Sequence, residues 1–126
     1  AIISRLDDYV RAQKPYLDPD LTLARLARRL VLPAKQLSAA INRIKGENVS
    51  RYINRQRIEE ACRRLSDGQT VTAAMLDSGF NTKSNFNREF LRVKESSPSK
   101  WLHDCKRSLS DSDVLPKSVI QAISKR

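Results

Sequence analysis

The chain has 126 residues, 40% of them hydrophobic, and its 24 Lys and Arg against 14 Asp and Glu give a formal net charge of +10. That length suffices for one domain with a real core or two very small ones, and the basic excess points towards a partner of negative charge. The apolar runs are only a few residues long, which excludes a membrane span; no signal peptide is visible; and two cysteines without a CxxC pair, with a single histidine, do not make a zinc site of ordinary ligand type.

In chain order, Ile2, Ile3, Leu6, Tyr9 and Val10 recur at helical spacing and predict a first helix ending near Lys14-Pro15. Residues 16–20 read as a connecting turn. Thr22 is a candidate N-cap for a helix carrying Leu23, Leu26, Ala27 and Leu30. Pro33 suits the first turn of the next helix, where its missing N–H is harmless; that helix carries Leu37, Ala40, Ile41 and Ile44 and stops at Gly46. Residues 50–65 predict a longer helix with Tyr52, Ile53, Ile58, Ala61, Cys62 and Leu65 inward, ended by Asp67-Gly68. On that face Cys62 reads as a buried free thiol. Helices over 71–77, 82–94 and 98–107 follow. Residues 108–113 read as a polar, mobile tail, and 114–123 as a further short helix. The fold class is therefore all-α.

One phrase occurs twice. Leu26-Ala27, a polar pair and Leu30-Val31-Leu32-Pro33 are followed by Leu37 and Ile41; residues 71–75, a polar pair and Gly79-Phe80-Asn81-Thr82 are followed by Phe86 and Phe90, and Leu37 and Phe86 lie 49 residues apart. Each copy reads as a short helix, a tight turn and a second amphipathic helix. Such a pair suits the major groove, which accepts one α-helix while the partner helix holds it at a fixed angle. Ala27 supplies the small residue that lets the two helices approach, and Gly79 tolerates a left-handed turn. The charge follows the repeat: residues 21–107 carry +10, whereas 1–20 carry −1 and 108–126 carry +1.

The outward positions of the second helix in each copy are the candidate DNA contacts. They are Lys35, Gln36, Ser38, Ala39 and Arg43 in the first, with Asn42 beside them, and Lys83, Ser84, Asn87 and Arg88 in the second, with Asn85 beside them. Asn, Arg and Lys are the side chains that read base edges. The blander interpretation, two solvated helix faces, fits either copy alone; the repetition on the basic segment outweighs it.

These residues carry a resemblance to the DNA-binding domain of the AraC/XylS family of bacterial transcription regulators. The match runs through residues 21–27, Leu37-Ser38 with Ile41, Gly46, residues 52–61, the strongest block at 78–90, and the closing Ser97-Pro98-Ser99-Lys100-Trp101, about 100 residues in all. It implies two helix-turn-helix subdomains, about 21–46 and 71–94, joined by a long linker helix at 50–65 and closed by a helix at 98–107. It also implies recognition helices in successive major-groove segments on one face of double-stranded DNA. The positions matching base-reading residues are Lys35, Ser38 and Ala39, and Lys83, Ser84, Asn87 and Arg88. The same resemblance implies RNA polymerase as a further partner, and a monomeric fragment whose sensing and dimerisation reside in a preceding region. The opening Ala in place of Met suggests such a fragment, and the wording of residues 16–23 resembles members with a membrane-embedded sensor. The DNA-facing part would be cytoplasmic. Catalytic residues, cofactors and metals are not implied.

Four departures from the family pattern carry expectations. Ala74-Met75 stands where Ile-Ala is usual, so Met75 is expected to turn inward beside Phe86 and Phe90. Val31 stands at a turn position where Gly is common, which predicts a distorted first turn. Ala39 stands where a long polar reader is frequent, so the first helix should read sequence weakly. Lys94-Glu95-Ser96 replaces a Gly-containing turn.

Other chemistry is thin. Adjacent acids at Asp7-Asp8 and Glu59-Glu60 diverge around a helix and make poor two-carboxylate sites. His103, beside Asp104 and Cys105, is a surface residue of the last helix rather than part of a triad. Trp101 is a core residue of that helix. Besides an enzyme, the rival reading is a protein-docking module that has kept this fold and lost specific DNA binding. Its mark would be recognition faces turned apolar or acidic, whereas these are polar and basic.

Overall fold

The fold is described from a computed structural model, over residues 2–111. Seven α-helices make up the described residues: α1 (Ile2–Gln13), α2 (Leu23–Leu30), α3 (Ala34–Lys45), α4 (Val49–Ser66), α5 (Val71–Asp77), α6 (Lys83–Lys94) and α7 (Pro98–Asp111). The last helix runs past the expected end at 107, so residues 108–111 continue it. The expected short helix over 114–123 lies outside the described residues.

Each boundary has a local cause. Lys14 takes a left-handed φ of 46° and Pro15 follows, which ends α1 and starts a single 3-10 turn over Pro15–Leu17. Thr22, Thr70 and Thr82 cap α2, α5 and α6, their hydroxyls accepting from the N–H groups of Arg25, Ala73 and Asn85; Asn48 caps α4 through Arg51. Pro33 stands at the N-cap of α3 rather than inside its first turn, with φ −62° and ψ 133°. Its carbonyl accepts the first helical bond, from Leu37 N–H.

The two helix-turn-helix units, α2–α3 and α5–α6, close their turns with the same pair of backbone bonds. In the first, Val31 N–H donates to Arg28 O at 3.1 Å and Leu32 N–H to Ala27 O at 3.0 Å; in the second, Gly79 N–H donates to Leu76 O at 3.3 Å and Phe80 N–H to Met75 O at 3.2 Å. The expected distortion at Val31 is therefore not found. Val31 adopts φ 56° and ψ 50° with its side chain 83% exposed, so no neighbour blocks the left-handed conformation. The remaining cost is the intrinsic one, about 1–2 kcal/mol. Glu95 does the same at φ 58° after α6. From its left-handed residue to the N-cap of its recognition helix the second turn is one residue longer, Gly79 to Thr82 against Val31 to Pro33.

The core is in two parts. Leu6, Val10, Leu26, Ala27, Leu30, Leu37, Ile41, Tyr52 and Ile53 bury one cluster, completed by Tyr16 and Leu21. Ile58, Ala61, Cys62, Leu65, Ala74, Met75, Phe80, Phe86 and Phe90 bury the other, with Trp101 packed against it. A chain of edge-to-face aromatic pairs runs through the second, Phe80–Phe86 at 5.2 Å, Phe86–Phe90 at 5.6 Å and Phe90–Trp101 at 5.9 Å. Helix α4 serves both clusters, which is why its apolar residues lie on two faces. Cys62 is a free thiol, and burial pushes its pKa up to about 12.

The seam between the clusters is polar. Glu60, 4% exposed, accepts from Arg63 Nη2 at 2.6 Å and Arg64 Nε at 3.0 Å, with Lys14 Nζ at 3.4 Å. Burial alone would raise its pKa; the Arg63 hydrogen bond and the charges of Arg63, Lys14 and Arg64 overcome that and hold it below the usual glutamate value. With the folded value lowered, its contribution to stability is complete above the unfolded pKa and is lost as pH falls through the folded one. Thermal melts of the wild type should thus fall between about pH 5 and pH 3 more steeply than those of Glu60→Gln. Parallel curves would show that Glu60 carries none of this dependence.

Candidate nucleic-acid interface

The nine candidate contacts all lie on the two recognition helices, α3 and α6. Lys35, Gln36, Ala39, Arg43, Lys83, Ser84, Asn87 and Arg88 are exposed; Ser38 is half-buried, which leaves it less reach than its position in sequence implied. The inward faces explain this presentation. Leu37 and Ile41 fix α3, Phe86 and Phe90 fix α6, and all four are fully buried.

Charge pairing divides the cations of the described residues, and the four on the outward faces of α3 and α6 fall in the unpaired group together with exposed Arg28, Arg51, Lys100 and Lys106. Among the described residues, Arg11, Lys14, Arg25, Arg29, Lys45, Arg55, Arg63, Arg64, Arg92 and Lys94 each lie within ion-pair distance of a carboxylate. Lys35, Arg43, Lys83 and Arg88 do not appear in any of those pairs, and their charge is presented to solvent. Arg88 is the one of the four with a directional partner, its Nη2 donating to Asn85 Oδ1 at 2.6 Å. That bond lays the guanidinium along α6 towards its N-terminal turn. On α3, Asn42 donates back to Ser38 O at 3.0 Å, so it is engaged with its own backbone.

Between the units, Leu21, Thr22, Leu23, Val49, Ser50, Ile53, Asn54, Arg57 and Asn85 line an open groove of about 290 Å³. It joins the N-terminal ends of α2, α4 and α6. No group of three or more His, Cys, Asp or Glu side chains suited to a metal is present among the described residues, and none of their helices is long and apolar enough to cross a membrane. His103 is exposed, and Trp101 is half-buried against the second cluster.

Two buried groups important to the site, Arg57 and Glu89, were not singled out in the sequence, and a third, Glu60, was read only as one of an adjacent acidic pair. Arg57 Nε donates to Tyr16 O at 2.7 Å, Nη2 to Asp18 O at 2.8 Å and Nη1 to Asn54 Oδ1 at 3.2 Å. Burial lowers its pKa and the nearby Asp18 charge opposes that. Glu89, on α6, accepts from Asn54 Nδ2 at 3.0 Å and Arg92 Nε at 2.5 Å. A signal existed: Arg57 falls at four-residue spacing between Ile53 and Ala61, and Glu89 lies between Phe86 and Phe90.

Two linked helix-turn-helix units, each presenting exposed basic side chains on its recognition helix, define a class of DNA-binding domain. The chain matches the family model of the helix-turn-helix domain over residues 26–104, and it belongs to that family, the AraC type of DNA-binding transcription regulators. Among solved structures, it is similar to the C-terminal domain of AraT, a response regulator from Geobacillus stearothermophilus, with 25% identity, a TM-score of 0.71, and coverage of 82% of this chain and 84% of that one. A protein of unknown function from Listeria innocua shares its fold at 21% identity and a TM-score of 0.70, covering 82% of this chain and 96% of that one. The C-terminal domain of the two-component response regulator yesN from Fusobacterium nucleatum does so at 20% identity and 0.66, covering 79% and 96%. No curated protein matches the chain.

Proposed function

We propose that this domain binds double-stranded DNA sequence-specifically as a monomer, with α3 and α6 in successive major-groove segments on one face of the duplex, and so does its work in the cytoplasm. The observation that carries the reading is the set of four unpaired, exposed cations, Lys35 and Arg43 on α3 and Lys83 and Arg88 on α6. None of the four is within ion-pair distance of a carboxylate among the described residues, so their charge faces outward from the recognition helices, towards phosphates and base edges. The second helix is the stronger reader. It offers Lys83, Ser84, Asn87 and Arg88, whereas α3 presents the methyl group of Ala39 and a half-buried Ser38 at matching positions.

Selection of bound sequences from random duplexes supplies the site on which to test this. On the preferred duplex, Arg88→Ala should cost about 1–3 kcal/mol of binding free energy if the guanidinium makes a bidentate base contact. On a scrambled duplex the loss should be much smaller. Equal loss on both would reassign Arg88 to phosphate binding, and a selection that returns no consensus would sink the claim of specificity.

A further inference from the structure

The apolar clusters share α4, and non-directional apolar packing by itself does not fix the rotation of one unit against the other. Directional contacts across that seam include Lys14 and the Tyr16 hydroxyl on Glu60 and Arg92 on Glu47 at 3.8 Å, but Arg57 is the buried side chain that itself touches both units. On the side of the first unit, its guanidinium holds the backbone carbonyls of Tyr16 and Asp18, in the turn that leads into α2, at 2.7 and 2.8 Å. On the side of the second unit, it lies 6.0 Å from the Phe80 ring centroid and directly against Gly79, where an added Cβ would stand 3.0 Å from Arg57 Nε. Through Asn54, which accepts from Arg57 and donates to Glu89 at 3.0 Å, the same side chain also reaches the second recognition helix.

We infer that Arg57 is the positioning residue that fixes the rotation and separation of α3 and α6, and thereby the spacing of the two DNA half-elements the domain accepts. The inference rests on the DNA-binding reading above. A planar guanidinium suits the task, since its donors leave in fixed directions and can bridge two carbonyls and an amide at once. With Arg57 7% exposed, these bonds are shielded from competing water. The groove of about 290 Å³ on its open side leaves the units space to turn when the bonds are removed.

The test is a series of duplexes in which the selected half-elements are moved one base pair closer or further apart. Wild type should lose about tenfold or more at either altered spacing, because two linked readers gain from each other only when both engage. Arg57→Met should bind the optimal duplex more weakly, yet its relative penalty for altered spacing should shrink to about threefold or less. A weaker variant with the wild-type penalty ratio would overturn the inference, since loss of stability alone scales all spacings together. Should Arg57→Met fail to fold, Arg57→Lys, which keeps the cation and one donor direction, should flatten the ratio part of the way; an unchanged ratio there is equally contrary.

A second readout needs no DNA. Spin labels at Ile44→Cys on α3 and Leu91→Cys on α6, in a Cys105→Ser background, should give one narrow distance distribution that broadens in Arg57→Lys. An unbroadened distribution overturns the positioning role. Absence of DNA binding by the wild type, with broadening intact, would instead count against the DNA-binding reading.

Discussion

Replacing Gly79 with alanine should destabilise the domain by about 2–6 kcal/mol, combining about 1–3 kcal/mol for a side chain in a sparsely populated backbone region with a similar overpacking term. Gly79 has φ +101°, and a Cβ there would stand 2.4 Å from Tyr16 O and 3.2 Å from Leu17 O. Neither obstacle is a flexible side chain. Both are backbone carbonyls of the 3-10 turn, and Tyr16 O is also held by Arg57. Relief therefore requires the second unit to lift from that turn, with loss of the arginine bond. Gly46 is the internal control: it also has positive φ, +72°, but nothing lies within 4 Å of an added Cβ, so Gly46→Ala should cost only about 1–2 kcal/mol. Urea melts of the two variants measure the difference. Equal costs would show that the close approach to Tyr16 is unimportant.

Met75→Ala should cost about 2–5 kcal/mol of stability through the cavity it leaves. Met75 is 9% exposed in the second cluster with Phe86 and Phe90, while Ala74 beside it is fully buried. The first unit has the opposite order, Leu26 then Ala27, so the two units bury one large and one small residue from opposite positions. An unbranched thioether suits a gap of irregular shape. DNA affinity per folded molecule should not change, since Met75 packs behind α6. A neutral melt would contradict the core role, and weakened binding by a fully folded variant would contradict the placement behind the recognition helix.

Much of this architecture was legible before the structure. The threonine cap at 22 stands at the start of an amphipathic pattern, and Phe86 and Phe90 mark the buried stripe of α6 by spacing alone; Thr82, read as the first residue of that helix, is its cap. Helix α4 was legible as an apolar face, although it serves two clusters. The seam was not legible. Glu60 is followed by Arg63 and Arg64 at three and four residues, the usual pattern of a solvated helix surface. Its burial depends on Tyr16 and Lys14, more than 40 residues away in sequence. Arg57 sits on the apolar stripe for a reason that appears only when the carbonyls of Tyr16 and Asp18 arrive. The expectation at Val31 failed because β-branching raises the cost of a left-handed turn without forbidding it where the side chain is free in solvent. The extent of α7 was missed at 108–111 because polar composition was equated with the end of the helix.

The interface itself was half legible. Sequence located the nine outward residues, but not that Ser38 is half-buried or that Lys35, Arg43, Lys83 and Arg88 have no carboxylate partner while Lys45, Arg92 and Lys94 on the same helices do. That division depends on which acids the fold carries to which bases, for example Asp18 to Arg25 and Arg29 at 3.9 and 3.7 Å, and Glu59 to Lys94 at 2.8 Å.

Hydroxyl-radical footprinting on the selected duplex tests the central claim most directly. Two recognition helices on one chain should protect two stretches about one helical turn apart, on one face of the duplex. The stretch assigned to α6 should vanish first in Arg88→Ala. A footprint confined to one groove segment, or one that requires a second copy of the chain to cover both, would contradict the account.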